Sequence, residues 1–218
     1  MKLAVHVTAM NRPDTLLATL RAAVDLASSD LQTDLTIVDN GSDDLRQIGL
    51  LDALAASGVR VIRNVMNLGL SRAVNQGLAA GYEMGADVLI HLDDDAVQRT
   101  QDWDRIMASY FAHPRVGLVV TNPAGVGIPR GGPVAARAGE EAFATVEGGE
   151  NLAPEAPGCL GDTTSGASGY PPTGPPYREV SWGLGFAWAI SRKAFEVVGG
   201  YDPALLHQLE CDLALRVR

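Results

Sequence analysis

Three consecutive carboxylates, Asp93, Asp94 and Asp95, close the apolar run Val88-Leu89-Ile90-His91-Leu92. Like charges on adjacent residues repel one another unless a positive group sits among them. A hard divalent cation held by carboxylate oxygens is the simplest candidate; a solvated acidic turn is the plain alternative. Three further polar clusters follow apolar runs in the same manner: Asn11-Arg12-Pro13, Asp39-Asn40-Gly41-Ser42 and Asn67-Leu68-Gly69. If those runs are parallel strands, all four clusters gather on one rim, where open α/β sheets bind their ligands.

The elements that must position them alternate regularly. Short apolar runs at 3–9, 35–39, 59–63, 88–92 and 116–121 predict strands. Helical patterning falls at 13–27, about 44–57, 71–84 and 102–112, with Ser42 or Asp43 as the expected cap of the second helix. This order predicts an α/β fold, Rossmann-like, with a mostly parallel central sheet and helices on both faces. Composition changes at Asn122, and from there to Tyr177 Gly, Pro and Ala dominate without sustained periodicity. Residues 122–179 therefore read as a flexible Gly/Pro-rich loop. A strand-like segment follows at 180–190, then helices at 192–198 and about 204–217. His6 and His91 fall inside strands and are expected to be packed.

At 218 residues the chain suits a single domain that buries roughly 70% of its unfolded surface. A net charge of −9 disfavours nucleic acid as the main partner. Cys159 and Cys211 lack metal-ligand spacing and are expected to be free thiols. No leader-like pattern precedes the first strand and no apolar run reaches membrane-spanning length, so a cytoplasmic protein without a transmembrane segment is expected.

Taken together, the Asn-Arg-Pro turn, Val38-Asp39-Asn40-Gly41-Ser42, Asn67-Leu68-Gly69 with Asn75-Gln76-Gly77, Leu92-Asp93-Asp94-Asp95, Gly199-Gly200-Tyr201-Asp202 and the acidic segment at 208–216 resemble family 2 glycosyltransferases of the GT-A fold. The match covers most of the chain outside 122–177. The resemblance implies a single catalytic domain, residues 1–121 forming the nucleotide-sugar half and 180–218 the acceptor and base segment. It implies a metal-dependent, inverting transfer of a sugar from a nucleoside-diphosphate sugar (UDP-, dTDP- or GDP-linked) to an acceptor hydroxyl.

On that resemblance, Asp39 meets the imide nitrogen of the base and Asn11 and Arg12 lie along the nucleoside, Arg12 facing the diphosphate. Gly69 and Arg72 open a helix whose free amides favour phosphate, and Asn75 lies on the same face one turn on. Asp93 and Asp95 form the DxD pair, Asp93 near the ribose and Asp95 on Mn²⁺ or Mg²⁺; Asp94 points away or takes a backbone amide. Trp182 and Gly183 are expected to line the acceptor side. Glu210 stands where the family's catalytic Asp is usual, with Leu209 replacing the preceding Glu, and Asp212 competes with it for the role of base. Each position also has a structural reading: a turn cap for Asp39, a helix-start turn for Asn11 and Arg12, a loop tie for Asn75, a core Trp. The departure at Leu209 and Glu210 leaves a catalytically silent nucleotide-sugar-binding protein as the rival. A nucleotidyltransferase would carry a Gly-rich basic loop where Met10-Asn11-Arg12-Pro13 stands. A haloacid-dehalogenase phosphatase would carry its Asp pair on the first strand before a Thr, whereas Ala96 follows this one.

Overall fold

The computed structural model describes residues 1–114, 116–121, 186–205, 213, 216 and 217, together with the backbone of the strands at 131–137, 143–147 and 178–180. The chain divides into two compact units, residues 1–105 with 200–207, and 106–199 with 208–218.

The first unit is built on four parallel strands in the order β3-β2-β1-β4: β1 Lys2–Ala9, β2 Gln32–Asp39, β3 Arg60–Arg63 and β4 Val88–Asp93. Helices α1 Pro13–Asp25, α2 Leu45–Ala56 and α3 Leu70–Glu83 connect them, as the alternation predicts. In β1 all seven residues from Leu3 to Ala9 are buried, so both faces of the strand are covered. On one face α3 comes unusually close. A Cβ on Gly81 would lie 2.7 Å from the Cβ of Ala4, and one on Gly77 2.3 Å from Cγ of His6. Two glycines one helical turn apart thus let the helix settle onto β1. Asp44, not Ser42 or Asp43, caps α2, accepting from the amides of Arg46 and Gln47. The two expected caps are engaged with the loop after β1 instead. β2 starts earlier than expected because it pairs with β1 from Lys2 onward.

Helix α4 Trp103–Ser109 continues into a 3₁₀ turn at Tyr110–Ala112. The second unit holds β5 Val116–Thr121, β6 Gly131–Arg137, β7 Phe143–Glu147, β8 Arg178–Val180 and β9 Ala187–Ser191, in the antiparallel order β9-β5-β6-β7-β8. Two of these strands, β6 and β7, lie in the stretch whose composition reads as a loop. β6 has Gly or Ala at four of its seven positions and β7 is only five residues long, so neither carries a sustained alternation of large apolar side chains. The strand expected over 180–190 is likewise two elements, β8 and β9. Helix α5 Arg192–Val198 is capped by Ser191, whose hydroxyl accepts from Ala194, and Gly199 follows it at φ +71°. Ala204 lies in a turn on Asp202 and does not start a helix; Leu213, Arg216 and Val217 are helical. Among the described residues, no helix is long and apolar enough to cross a membrane.

Candidate functional site

The register brings the polar clusters level. Ala9 pairs with Asp39 and Thr8 with Asp93, so β1, β2 and β4 release their chains at one rim. Arg12, in the turn before α1, reaches the acidic triplet. Its Nη1 donates to Asp94 Oδ1 at 2.8 Å and its Nη2 to Asp95 Oδ2 at 2.6 Å. Asp94 is therefore no bystander. It is 5% exposed, its backbone carbonyl accepts from the Thr19 hydroxyl of α1 at 2.9 Å, and its carboxylate takes the Met10 amide as well as Arg12. Burial pushes its pKa up to about 6, against the pull of Arg12 and with the help of Asp95 and Asp93. Arg12, expected on the diphosphate, is the positive group among the carboxylates, and they hold its charge firmly. A planar fork suits two neighbouring carboxylates better than a point charge would.

Asn11 lies at the rim and is bonded to a neighbouring loop. At φ +54° it spends its polar atoms on the loop after β2. Nδ2 donates to Asp43 Oδ1, Oδ1 accepts from the amides of Asp43 and Asp44, and its own amide donates to the Ser42 hydroxyl. Asn11 thus ties two rim loops together. The buried Gln47 completes the tie, accepting from the Arg12 amide at 2.6 Å and donating to Ser42 at 2.8 Å.

Asp39 is buried at the rim, and Oδ1 accepts from the Ser42 amide at 3.2 Å, the turn-capping role. Gly41 makes that turn possible: its φ is +85°, and a Cβ would sit 2.3 Å from the backbone of Met66. Beside it Asn40, which the residue pattern did not single out, organises the next loop. It accepts from the Leu68 amide and Asn64 and donates to Asn67, while Asn64 and Gln76 exchange two hydrogen bonds.

Gly69 stands at φ +85° as the N-cap of α3, with no side chain to satisfy the first amides. Arg72 is exposed in the first turn. Asn75 makes the loop tie, one of its two readings. Its Nδ2 donates to the Tyr201 carbonyl at 2.8 Å and its Oδ1 accepts from the Tyr201 amide at 2.8 Å. Gly200 is fitted to it, since a Cβ there would meet Oδ1 at 2.0 Å. Asn75 therefore clamps the Gly-Gly-Tyr-Asp segment onto α3. Trp182, Gly183, Glu210 and Asp212 lie outside the described residues, as do His207 and both cysteines.

His6 and His91 are packed as expected, but they are also bonded. His91 Nδ1 lies 3.0 Å from His6 Nε2, and His91 Nε2 lies 3.0 Å from Asp93 Oδ1. Burial, and then His91, hold His6 well below the usual imidazole range. The two-residue spacing of His91 and Asp93, one strand repeat on one face, was the signal for this contact.

The donor set fits a substrate-bridged cation. Asp93 and Asp95 are 35% and 46% exposed at the side chain, and each has one oxygen engaged, by His91 and Arg12 respectively. Among the described residues, no three His, Cys, Asp or Glu gather into a self-sufficient metal cage. Mg²⁺-type ions suit such a site, being held by one or two carboxylates plus phosphate oxygens and water.

A level rim of acidic and amide side chains over parallel strands defines a doubly wound ligand-binding scaffold, and the fold is GT-A. Three solved glycosyltransferase structures share it. A mannosyltransferase from Pyrobaculum calidifontis, solved in complex with GDP-Man and Mn²⁺, matches at TM-score 0.65 and 15% identity over 99% of this chain and 51% of its own. S. aureus TarS matches at TM-score 0.64 and 10% identity over 100% of this chain and 33% of its own. GalNAc-T7, with UDP, GalNAc and Mn²⁺, matches at TM-score 0.65 and 18% identity over 100% and 40%. The chain thus spans about half the length of these proteins or less. No curated protein sequence is similar enough to count as a relative. The profile of Glycosyl transferase family 2 matches residues 4–164, and the chain belongs to that family.

Proposed function

We propose that the chain moves a sugar from a nucleoside-diphosphate sugar to an acceptor hydroxyl, inverting the anomeric carbon, with Mn²⁺ or Mg²⁺ bound, and that it works in the cytoplasm. The observation that carries the reading is the shared rim of Asp39, Arg12, Asp93 and Asp95 in a family 2 chain. Neighbouring structures hold GDP-Man or UDP with Mn²⁺, which supports a UDP, dTDP or GDP donor. Asp39, with Oδ1 on its turn, accepts a hydrogen bond from the imide nitrogen of the base on Oδ2. Asp93 receives a ribose hydroxyl, and Asp95 holds the cation. Arg12, paired with Asp94 and Asp95, would face the diphosphate from the same rim. The free amides of α3 beyond Gly69, with Arg72, favour the same anion. The cation's chemistry is to neutralise the leaving nucleoside diphosphate. Glu210, with Asp212 as the competing candidate, takes the proton as the acceptor oxygen bonds to the anomeric carbon and the carbon–phosphate-oxygen bond breaks. Trp182 and Gly183 line the acceptor side.

Thermal unfolding against UDP-, dTDP- and GDP-sugars, with and without Mn²⁺, tests this. One donor class is expected to stabilise the chain only with the cation, by about 2.7 kcal/mol at a hundredfold excess over Kd, and to be slowly hydrolysed to its nucleoside diphosphate. Asp95→Ala is expected to lose the Mn²⁺-dependent part. Absence of stabilisation by every donor in the presence of Mn²⁺ refutes the reading.

A further inference from the structure

His6, His91 and Asp93 form a continuous line of side chains leading from the sheet interior to the rim. His6 and His91 are register partners on β1 and β4, and Asp93 follows His91 on the same face of the strand. The rings are 2% and 1% exposed. Hydrogen-bond chemistry gives the line a direction. A carboxylate only accepts, so the proton on the His91–Asp93 contact belongs to His91 Nε2. With His91 neutral, its one N–H is spent on Asp93, so Nδ1 accepts and His6 Nε2 donates to it.

Two observations set this apart from core filling. Two buried imidazoles are costly occupants where leucine or methionine would pack without polar atoms. The helix above also gives way to them. A Cβ on Gly77 would lie 2.3 Å from both Cγ and Cδ2 of His6, so α3 carries the one residue that leaves room for the ring. The ring is wedged between helix and strand, and it fixes His91 in turn.

We infer that His91, braced by His6, is a positioning residue that sets the carboxylate of Asp93 for the donor. Oδ1 is held by His91, and Oδ2 is left as the acceptor presented at the rim. A half-exposed aspartate beside two like charges would otherwise turn toward solvent, and binding would have to order it. The inference rests on the reading of Asp93 as a donor contact.

Calorimetry of UDP, dTDP and GDP with Mn²⁺, on wild type, His91→Leu, His91→Gln, Asp93→Ala and His91→Leu/Asp93→Ala, tests it. His91→Leu is expected to weaken the nucleotide that wild type binds by about 10- to 100-fold, the usual effect of removing an outer partner. His91→Gln, which keeps an N–H donor, is expected to recover most of it. On the Asp93→Ala background, His91→Leu is expected to change nothing further. An additive double mutant, or wild-type affinity in His91→Leu, overturns the positioning role. Wild-type affinity in Asp93→Ala overturns the donor reading of Asp93 and the positioning role with it. If His91→Leu fails to fold, imidazole ¹⁵N spectra of the wild type decide. Both rings are expected to be protonated at Nε2, and Nδ1 protonation of either neutral ring overturns the proposed direction.

Discussion

Replacing Asp94 by Asn removes the negative charge of an ion-paired residue, and it is expected to improve stability at neutral pH relative to wild type. The reason is that burial outweighs the pair. Arg12 pulls the Asp94 pKa down, but desolvation and the charges of Asp95 and Asp93 raise it from its ordinary 3.8 to about 6. Below the ordinary value the carboxyl is protonated whether the chain is folded or not. Between that value and about 6 the folded chain retains a proton that the unfolded chain releases, so raising the pH favours unfolding. Above about 6 the loss is complete. The displacement corresponds to about 3 kcal/mol. Asparagine, which does not titrate, imitates the protonated acid throughout. Denaturant melts of wild type and Asp94→Asn from pH 4 to pH 8 measure the difference, because titrations not coupled to Asp94 cancel. Wild type is expected to lose about 2.5 kcal/mol relative to the variant across that window, the remainder having been lost below pH 4. Arg12→Gln is expected to widen the window upward, since the larger of the two attractions opposing burial is gone and only the Met10 amide remains. A flat difference refutes the reasoning. A difference of opposite slope shows that Arg12 overcomes burial and holds Asp94 below its ordinary range.

Two further outcomes follow from residue roles. Glu210→Gln is expected to abolish sugar transfer while leaving donor affinity unchanged by calorimetry, since the base is used only after the donor is bound; acid–base help of this kind is worth roughly 10²–10⁴-fold, and wild-type turnover removes Glu210 from the mechanism. Asn75→Ala breaks two hydrogen bonds to the Tyr201 backbone. It is expected to cost about 1–3 kcal/mol of stability in a denaturant melt with nucleotide affinity nearly unchanged, whereas a large loss of affinity without loss of stability restores Asn75 to the donor site.

The sequence was informative where one chemical property dominates. Apolar runs such as 88–92 can only be buried, and their alternation with helical segments gives the parallel order of β1 to β4. The antiparallel unit was harder to read. Alternation does not give strand direction, and the Gly- and Ala-rich β6 and the five-residue β7 have few large side chains to mark a face. The asparagines show a different limit. Asn11 and Asn75 both lie in the family motifs, yet an amide bonds a backbone as readily as a nucleotide, and no spacing rule says which way it faces.

By itself the sequence determined the family, the strands that carry the rim, and the carboxylates placed there, because these depend on residue type and order along the chain. Only the tertiary structure decided what those carboxylates meet. Arg12 is 82 residues from Asp94, and His6 is 85 from His91. Such pairings follow from parallel register and from a helix close enough to need Gly77. They set which acid is buried, which is braced, and which stands half-exposed at the edge.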